Sequence, residues 1–212
     1  MSALAGRVRE PVLPVGEVRI GGFGGAQRLR EWLHANGIDA VVDATHPFAA
    51  RMSANAAAAC AAAGVAHLVL ARPPWPRESH WRSVASVADA VPIVGERVFL
   101  TIGRQGVGAF ERSPAWFLIR SIDPPTAPLP AHHELLLARG PFTVDDEAQL
   151  IARHRIDTLV TKNSGGPQTV AKLAAARAAG IAVVVVERPP LPPGAQVVDT
   201  VAAAATWATA LR

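Results

Sequence analysis

Cysteine occurs once in this chain, at Cys60, and tyrosine does not occur at all. One cysteine excludes an intrachain disulfide and leaves no set of thiolates for a zinc site. The missing tyrosine disfavours the short-chain type of dehydrogenase, whose chemistry relies on that phenol. Aromatic residues make up only 5% of the 212 residues. Half of the residues are hydrophobic, yet no apolar run approaches the roughly 20 residues that a membrane helix needs. The opening Met1-Ser2-Ala3-Leu4-Ala5-Gly6-Arg7 lacks the basic start and long apolar core of a secretion signal. These absences predict a cytoplasmic protein with no membrane partner.

The charge balance narrows the ligand. Twenty-one Lys and Arg against 17 Asp and Glu give a net charge of +4, with a pI near 10.5. The arginines are scattered singly at segment ends and form no basic block, which points to a small acidic ligand and away from nucleic acid.

Short β-branched runs alternate with alanine-rich stretches along most of the chain. Ile38-Asp39-Ala40-Val41-Val42 reads as a buried parallel strand. The alanine-dominated stretch to Ala63 has high helix propensity, and Gly64 is a natural stop. Between them lies Asp43-Ala44-Thr45-His46-Pro47-Phe48, with Pro47 suited to the first turn of the helix. Further strands are expected at Val65 to Leu70, Trp81 to Val84, Arg97 to Ile102, Trp116 to Arg120, Glu134 to Ala138, Ile156 to Thr161 and Ala182 to Val186. This alternation predicts an α/β fold with largely parallel pairing.

An internal repeat adds to that picture. Ile38-Asp39 through Arg72-Pro73-Pro74 and Ile156-Asp157 through Arg188-Pro189-Pro190 share one order: Ile-Asp, strand, polar turn, Ala-rich helix, Gly, strand, Arg-Pro-Pro. The Ile-Asp pairs lie 118 residues apart (38 to 156), and the Gly and Arg positions 116 apart (64 to 180, 72 to 188). The repeat predicts two related doubly wound domains, residues 1–96 and 97–212, with a ligand cleft lined by a turn from each.

The residues able to do chemistry sit on the turns. Lys162-Asn163-Ser164-Gly165-Gly166 offers a cation, two hydrogen-bonding side chains and glycines that admit a ligand to backbone N–H groups at a helix N-terminus. Gly103-Arg104-Gln105-Gly106 is a weaker signal of the same kind. Asp43, Thr45 and His46 crowd a strand-to-helix turn, where His46 serves equally as a proton donor or a capping residue. The cluster Gly21-Gly22-Phe23-Gly24-Gly25 lacks the Walker lysine and misses the dinucleotide fingerprint, so a plain turn is favoured there. Cys60 reads as core packing. His132-His133 has no carboxylate at ligand spacing, so no metal site is expected. The acidic Asp145-Asp146-Glu147 reads as a helix N-terminus and solvated face.

Together Asp43-Ala-Thr-His-Pro-Phe-Ala49, Arg72-Pro-Pro-Trp75, Thr101-Ile-Gly-Arg104, Arg139-Gly-Pro-Phe142, Asp146-Glu147 and Thr161-Lys-Asn-Ser-Gly-Gly166 resemble the precorrin-6A reductases of cobalamin biosynthesis. The resemblance extends from Leu4-Ala-Gly-Arg7 to the last helix. It implies two Rossmann-like domains and NADPH-dependent reduction of one ring double bond in precorrin-6A, a polycarboxylate tetrapyrrole, to give precorrin-6B. Under it, Arg7, Gly103, Arg104, Lys162, Asn163, Ser164, Gly165 and Gly166 become the expected cofactor contacts. Asp43, Thr45, His46, Arg72 and Arg139 become the expected substrate contacts, with His46 as proton donor. Other corrin-pathway enzymes are the expected protein partners. A non-catalytic carrier of an acidic tetrapyrrole or nucleotide is the alternative. Members of the family open with a strand, a Gly-Gly-Thr-x-Glu turn and a helix, which this sequence lacks, so a misplaced start or a truncation is expected. At the tail of the would-be second strand, Ser2 and Arg7 stand where NAD enzymes place an acid, which permits the 2′-phosphate of NADPH.

Overall fold

The computed structural model describes residues 1–4 and 13–211. In chain order its elements are β1 (Ser2–Leu4), β2 (Val18–Ile20), α1 (Ala26–Ala35), β3 (Ala40–Asp43), α2 (Ala50–Ala63), β4 (Ala66–Leu70), β5 (Trp81–Val84), α3 (Val87–Ala90), β6 (Arg97–Thr101), β7 (Trp116–Ser121), β8 (His133–Leu137), α4 (Val144–Arg153), β9 (Thr158–Lys162), α5 (Ala171–Ala178), β10 (Ala182–Val186), β11 (Gln196–Val198) and α6 (Val201–Thr209). Every strand pair among the described residues is parallel, as the alternation of strands and helices predicts.

The chain forms two compact units, Met1–Pro73 with Pro189–Arg212, and Pro74–Arg188. The boundary expected between residues 96 and 97 is therefore displaced. Strand β5 falls before that boundary but pairs with β10, Trp81 opposite Val183. Strand β11 falls after it but pairs with β4, Gln196 opposite Leu68. The first unit is discontinuous in sequence, which no local pattern reveals. Both passages between units fall in the repeated Arg-Pro-Pro segments, at Pro73/Pro74 and Arg188/Pro189. Proline suits such passages, because it fixes φ and gives the ladder no donor.

The first unit carries a two-stranded sheet, β1–β2, and a three-stranded sheet in the order β11-β4-β3. Helix α2 ends at Gly64 in the left-handed conformation (φ 67), which costs glycine little. Leu29 and Leu33 of α1 and Ala56, Ala59 and Cys60 of α2 form its core. The small alanine side chains of α2 let the two helices approach closely. Pro47 lies ahead of α2 and not in its first turn. The Ala49 N–H donates to the His46 carbonyl at 2.7 Å, so residues 46–49 make a β-turn with proline in its preferred second position.

The second unit holds a six-stranded sheet in the order β5-β10-β9-β6-β7-β8. Successive side chains alternate between two cores. Phe99, Leu118, Leu159, Val183 and Val185 face one, with Ile151 and Leu173 from α4 and α5. Val98, Leu100, Phe117, Ile119, Val160 and Val184 face the other, with Val107 and Phe110. Both faces are covered, which is why these strands read as unbroken apolar runs.

Helix α4 opens with a capping box. The Thr143 hydroxyl oxygen accepts from the Asp146 N–H, and the Asp146 carboxylate accepts from the Thr143 N–H. Glu147, expected on a solvated face with its acidic neighbours, is instead fully buried. Its carboxylate takes both forks of the Arg120 guanidinium, at 3.0 and 2.8 Å. Arg120 also lies 3.8 Å from the Phe142 ring centroid. A helical position one turn into α4 points inward, and the charge survives there only because it is paired. Lys172 of α5 is 3% exposed, and its ammonium donates to the Thr169 carbonyl at 2.6 Å. Burial, with repulsion from Arg120, lowers its pKa from 10.5 to about 7, while Glu147 pulls the other way.

Two outcomes follow for stability. Arg120→Met leaves Glu147 buried without its partner and should cost about 3–5 kcal/mol in denaturant unfolding, most of it recovered by adding Glu147→Leu. Lys172 binds its proton more weakly folded than unfolded, so its contribution is present at high pH and lost as pH falls from 10.5 to about 7. Lys172→Met should therefore show its largest stability gain over the parent below pH 7. That gain should shrink steadily in unfolding curves taken at rising pH up to about 10.

Candidate active site

Parallel pairing brings the carboxyl ends of all six strands of the second unit to one edge of its sheet. From β6 the chain steps outward through β7 to β8, then returns to the other side of β6 with β9 and β10. The strand order reverses between β6 and β9, and at such a point the two exit turns diverge and leave a crevice. The exit turns here are Gly103-Arg104 after β6 and Lys162-Asn163-Ser164-Gly165-Gly166 after β9. The two anion-binding candidates found in sequence thus flank the switch point. Arg139 follows β8, two strands from β6. Arg104 ion-pairs with Asp123, from the exit of β7, at 3.8 Å; at that exposure the pair is worth little.

The 162–166 turn is held from several sides. Gly165 and Gly166 take positive φ, 67 and 77, a conformation that side-chain-bearing residues adopt at a cost. Asn163 is 6% exposed. Its side-chain oxygen accepts from the Trp75 N–H at 3.0 Å, and its amide nitrogen donates to Glu187 at 3.5 Å. Its backbone N–H donates to Val186 at 2.9 Å, and its carbonyl accepts from Arg188 Nε at 2.7 Å. The Trp75 indole N–H donates to the Gly166 carbonyl at 2.9 Å. Burial lowers the pKa of Lys162 from its ordinary value; an acidic group brought beside it would favour the charged form again. The expectation that this turn opens directly onto a helix N-terminus is corrected: a single turn of tighter helix, Pro167–Thr169, intervenes before α5.

In the first unit, Asp43 ends β3 and is 5% exposed. One carboxylate oxygen accepts from the Thr45 N–H at 3.0 Å, while Oδ2 is buried with no partner among the described residues. A buried carboxylate oxygen in that condition is costly and suits a ligand N–H or O–H. The Thr45 hydroxyl lies 3.2 Å from that of Ser53. His46 is exposed, and its Nδ1 accepts from the Phe48 N–H at 3.2 Å. In the neutral ring this bond places the proton on Nε2. Burial lowers the pKa of His67, against the pull of Asp43, and raises the Cys60 thiol to about 11, which keeps it an inert core side chain. Arg72 is exposed just beyond β4. Arg7 lies outside the described residues. No three His, Cys, Asp or Glu side chains among the described residues are placed to hold a metal ion, and no described helix is long and apolar enough to cross a membrane.

Sequence reasoning missed Trp75 and Lys172 as site-supporting residues. The signals were present: a tryptophan between prolines, whose indole N–H usually finds a hydrogen-bond partner when buried, and one lysine on the apolar face of an alanine-rich helix.

The precorrin-6x reductase CbiJ/CobK family profile matches residues 1–209. The precorrin-6A reductase of Rhodococcus erythropolis is 60% identical, over 98% of this chain and 86% of its own. That of Mycobacterium tuberculosis is 53% identical, over 100% of this chain and 88% of its own. A solved structure of CobK precorrin-6A reductase superposes with a TM-score of 0.90 at 41% identity, covering 99% of this chain and 86% of that one. With matches that span both units, the chain belongs to the precorrin-6x reductase family.

Proposed function

We propose that this protein reduces one ring double bond of precorrin-6A to give precorrin-6B in cobalamin biosynthesis, with NADPH as the reductant. The family supports the reaction. The observation that carries the site is the position of two exit turns on either side of the β6/β9 switch point, one bearing Arg104 and the other Lys162. Cations and glycine N–H groups at that place suit phosphates or the carboxylates of a tetrapyrrole. Ser2 and Arg7, at positions where an NAD enzyme would carry an acid, leave room for a 2′-phosphate.

When bound, the nicotinamide supplies the hydride. The chain's residues do the rest. Lys162, Ser164, the N–H groups of Gly165 and Gly166, and Arg104 hold acidic groups, with Gly103 giving the backbone room to approach and Asn163 setting the turn. Asp43 accepts a ligand N–H or O–H on its unpartnered oxygen, beside Thr45, and Arg72 and Arg139 receive substrate carboxylates. Reduction adds a hydride to one carbon and a proton to its neighbour. His46 delivers that proton from Nε2, the nitrogen that its Nδ1 bond leaves protonated. A cytoplasmic location and contacts with other corrin-pathway enzymes belong to the same reading.

The direct test is NADPH oxidation dependent on added precorrin-6A. Binding of both without oxidation would make the protein a carrier. Lys162→Ala should raise KM for NADPH or for precorrin-6A by about tenfold or more, as expected for a hydrogen bond to a charged group. In the same assay His46→Ala should lower kcat by about a hundredfold or more; an unchanged kcat would remove it as proton donor.

A further inference from the structure

The 162–166 turn leaves the sheet at Lys162 and contains two consecutive glycines with positive φ. Glycine backbones are the most costly in entropy to fix, so this turn needs bracing from outside. Trp75 supplies it from 88 and 91 residues away along the chain. Its N–H donates to the Asn163 side chain at 3.0 Å, and its indole N–H to the Gly166 carbonyl at 2.9 Å. The two bonds grip both ends of the four residues 163–166. Trp75 is 6% exposed. The Lys172 ammonium stands 4.9 Å from the ring and donates to Thr169, just beyond the turn. The Asn163 side-chain polar atoms bond Trp75 and Glu187.

We propose that Trp75 is a positioning residue that clamps the 162–166 turn in its ligand-holding shape, and that Asn163 belongs to this clamp and does not contact the ligand. Lys172 backs the clamp by packing its cation against the indole. The inference rests on the role given above to Lys162 and its turn.

A double-variant cycle on the whole chain tests it, with NADPH and precorrin-6A as the probes. Trp75→Phe keeps an aromatic ring and the backbone bond to Asn163 but leaves the Gly166 carbonyl without its donor. The expected result is an approximately tenfold rise in KM for the same ligand that Lys162→Ala weakens, with kcat within about twofold. In the Lys162→Ala background the effect of Trp75→Phe should fall to about twofold or less. A residue that only supports folding would lower kcat through the active fraction and leave KM in place. An equal KM rise in both backgrounds, or a fall in kcat at constant KM, overturns the clamp. If Lys162→Ala weakens a ligand and Trp75→Phe does not, the turn stands and the clamp falls. If Lys162→Ala moves neither KM, the turn itself is not the ligand site and both readings fall. Should Trp75→Phe fail to fold, Lys172→Met takes its place, with an expected rise of about threefold in the same KM and none in the Lys162→Ala background.

Discussion

Asn163 bonds the chain where it enters the second unit and again where it leaves. Its side-chain oxygen takes the N–H of Trp75, the second residue of that unit. Its amide nitrogen reaches Glu187, and its carbonyl takes the guanidinium of Arg188, the unit's last residue. The side chain is buried, so each of these bonds also prevents an unsatisfied polar atom, whose cost exceeds the net gain of a bond made at the surface. The exit turn of β9 therefore cannot move without disturbing both passages. One asparagine fixes the turn that the proposed chemistry uses and the ends of the segment that carries it.

The rest of the second unit explains why that turn lies at the point where the strand order reverses. Covering both faces of the sheet requires strands apolar on both sides, and parallel strands need a crossover for each step. Crossovers on alternate faces force a reversal of strand order somewhere, here between β6 and β9. The first unit is built on the same principle but divides its strands between two sheets, with β3 having a single strand neighbour among the described residues. Asp43 closes that strand, and its unpartnered oxygen is a local polar deficit at a strand's carboxyl end. A carboxylate there is tolerable where a donor from outside completes it.

What the sequence made legible is what depends on near neighbours. The apolar runs of β3, β6, β9 and β10 declared themselves through β-branched residues, and Gly64 marked its helix end. The two Ile-Asp to Arg-Pro-Pro segments do form equivalent parallel units, β3-α2-β4 and β9-α5-β10. What stayed hidden depends on distant partners. Glu147 reads as one acid among three at a helix start, and nothing local distinguishes the one that meets Arg120, 27 residues earlier in the chain. Strand β11 is three residues long between proline-rich loop and helix, too short for a period to register. Its pairing with β4 is what makes the first unit discontinuous, so the short strand and the unit's true bounds are hidden together. The turn after β9 was found because glycine, lysine and asparagine are locally conspicuous. Its clamp was not, because Trp75 lies so far away in sequence.

The same distinction governs charge. Net charge counts Lys162 and Lys172 alike, yet their surroundings give them different work. Lys172 is buried beside Arg120, which opposes its charge, and Glu147, which is already committed to Arg120 by two short bonds. A lysine with its pKa near 7 in that setting contributes only part of a positive charge at neutral pH, and its burial keeps it out of direct contact with a ligand. Lys162 is only half-buried, at the mouth of the switch point. Burial destabilises its ammonium, but there an acidic ligand can approach and offset that cost. In the proposed reading, the attraction for a polycarboxylate or a phosphate comes from the few cations on exit turns, Lys162 and Arg104 first among them. A basic pI is a poor guide to it, because it counts Arg120, which is offset by Glu147, and Lys172, which is only partly charged at neutral pH, in full.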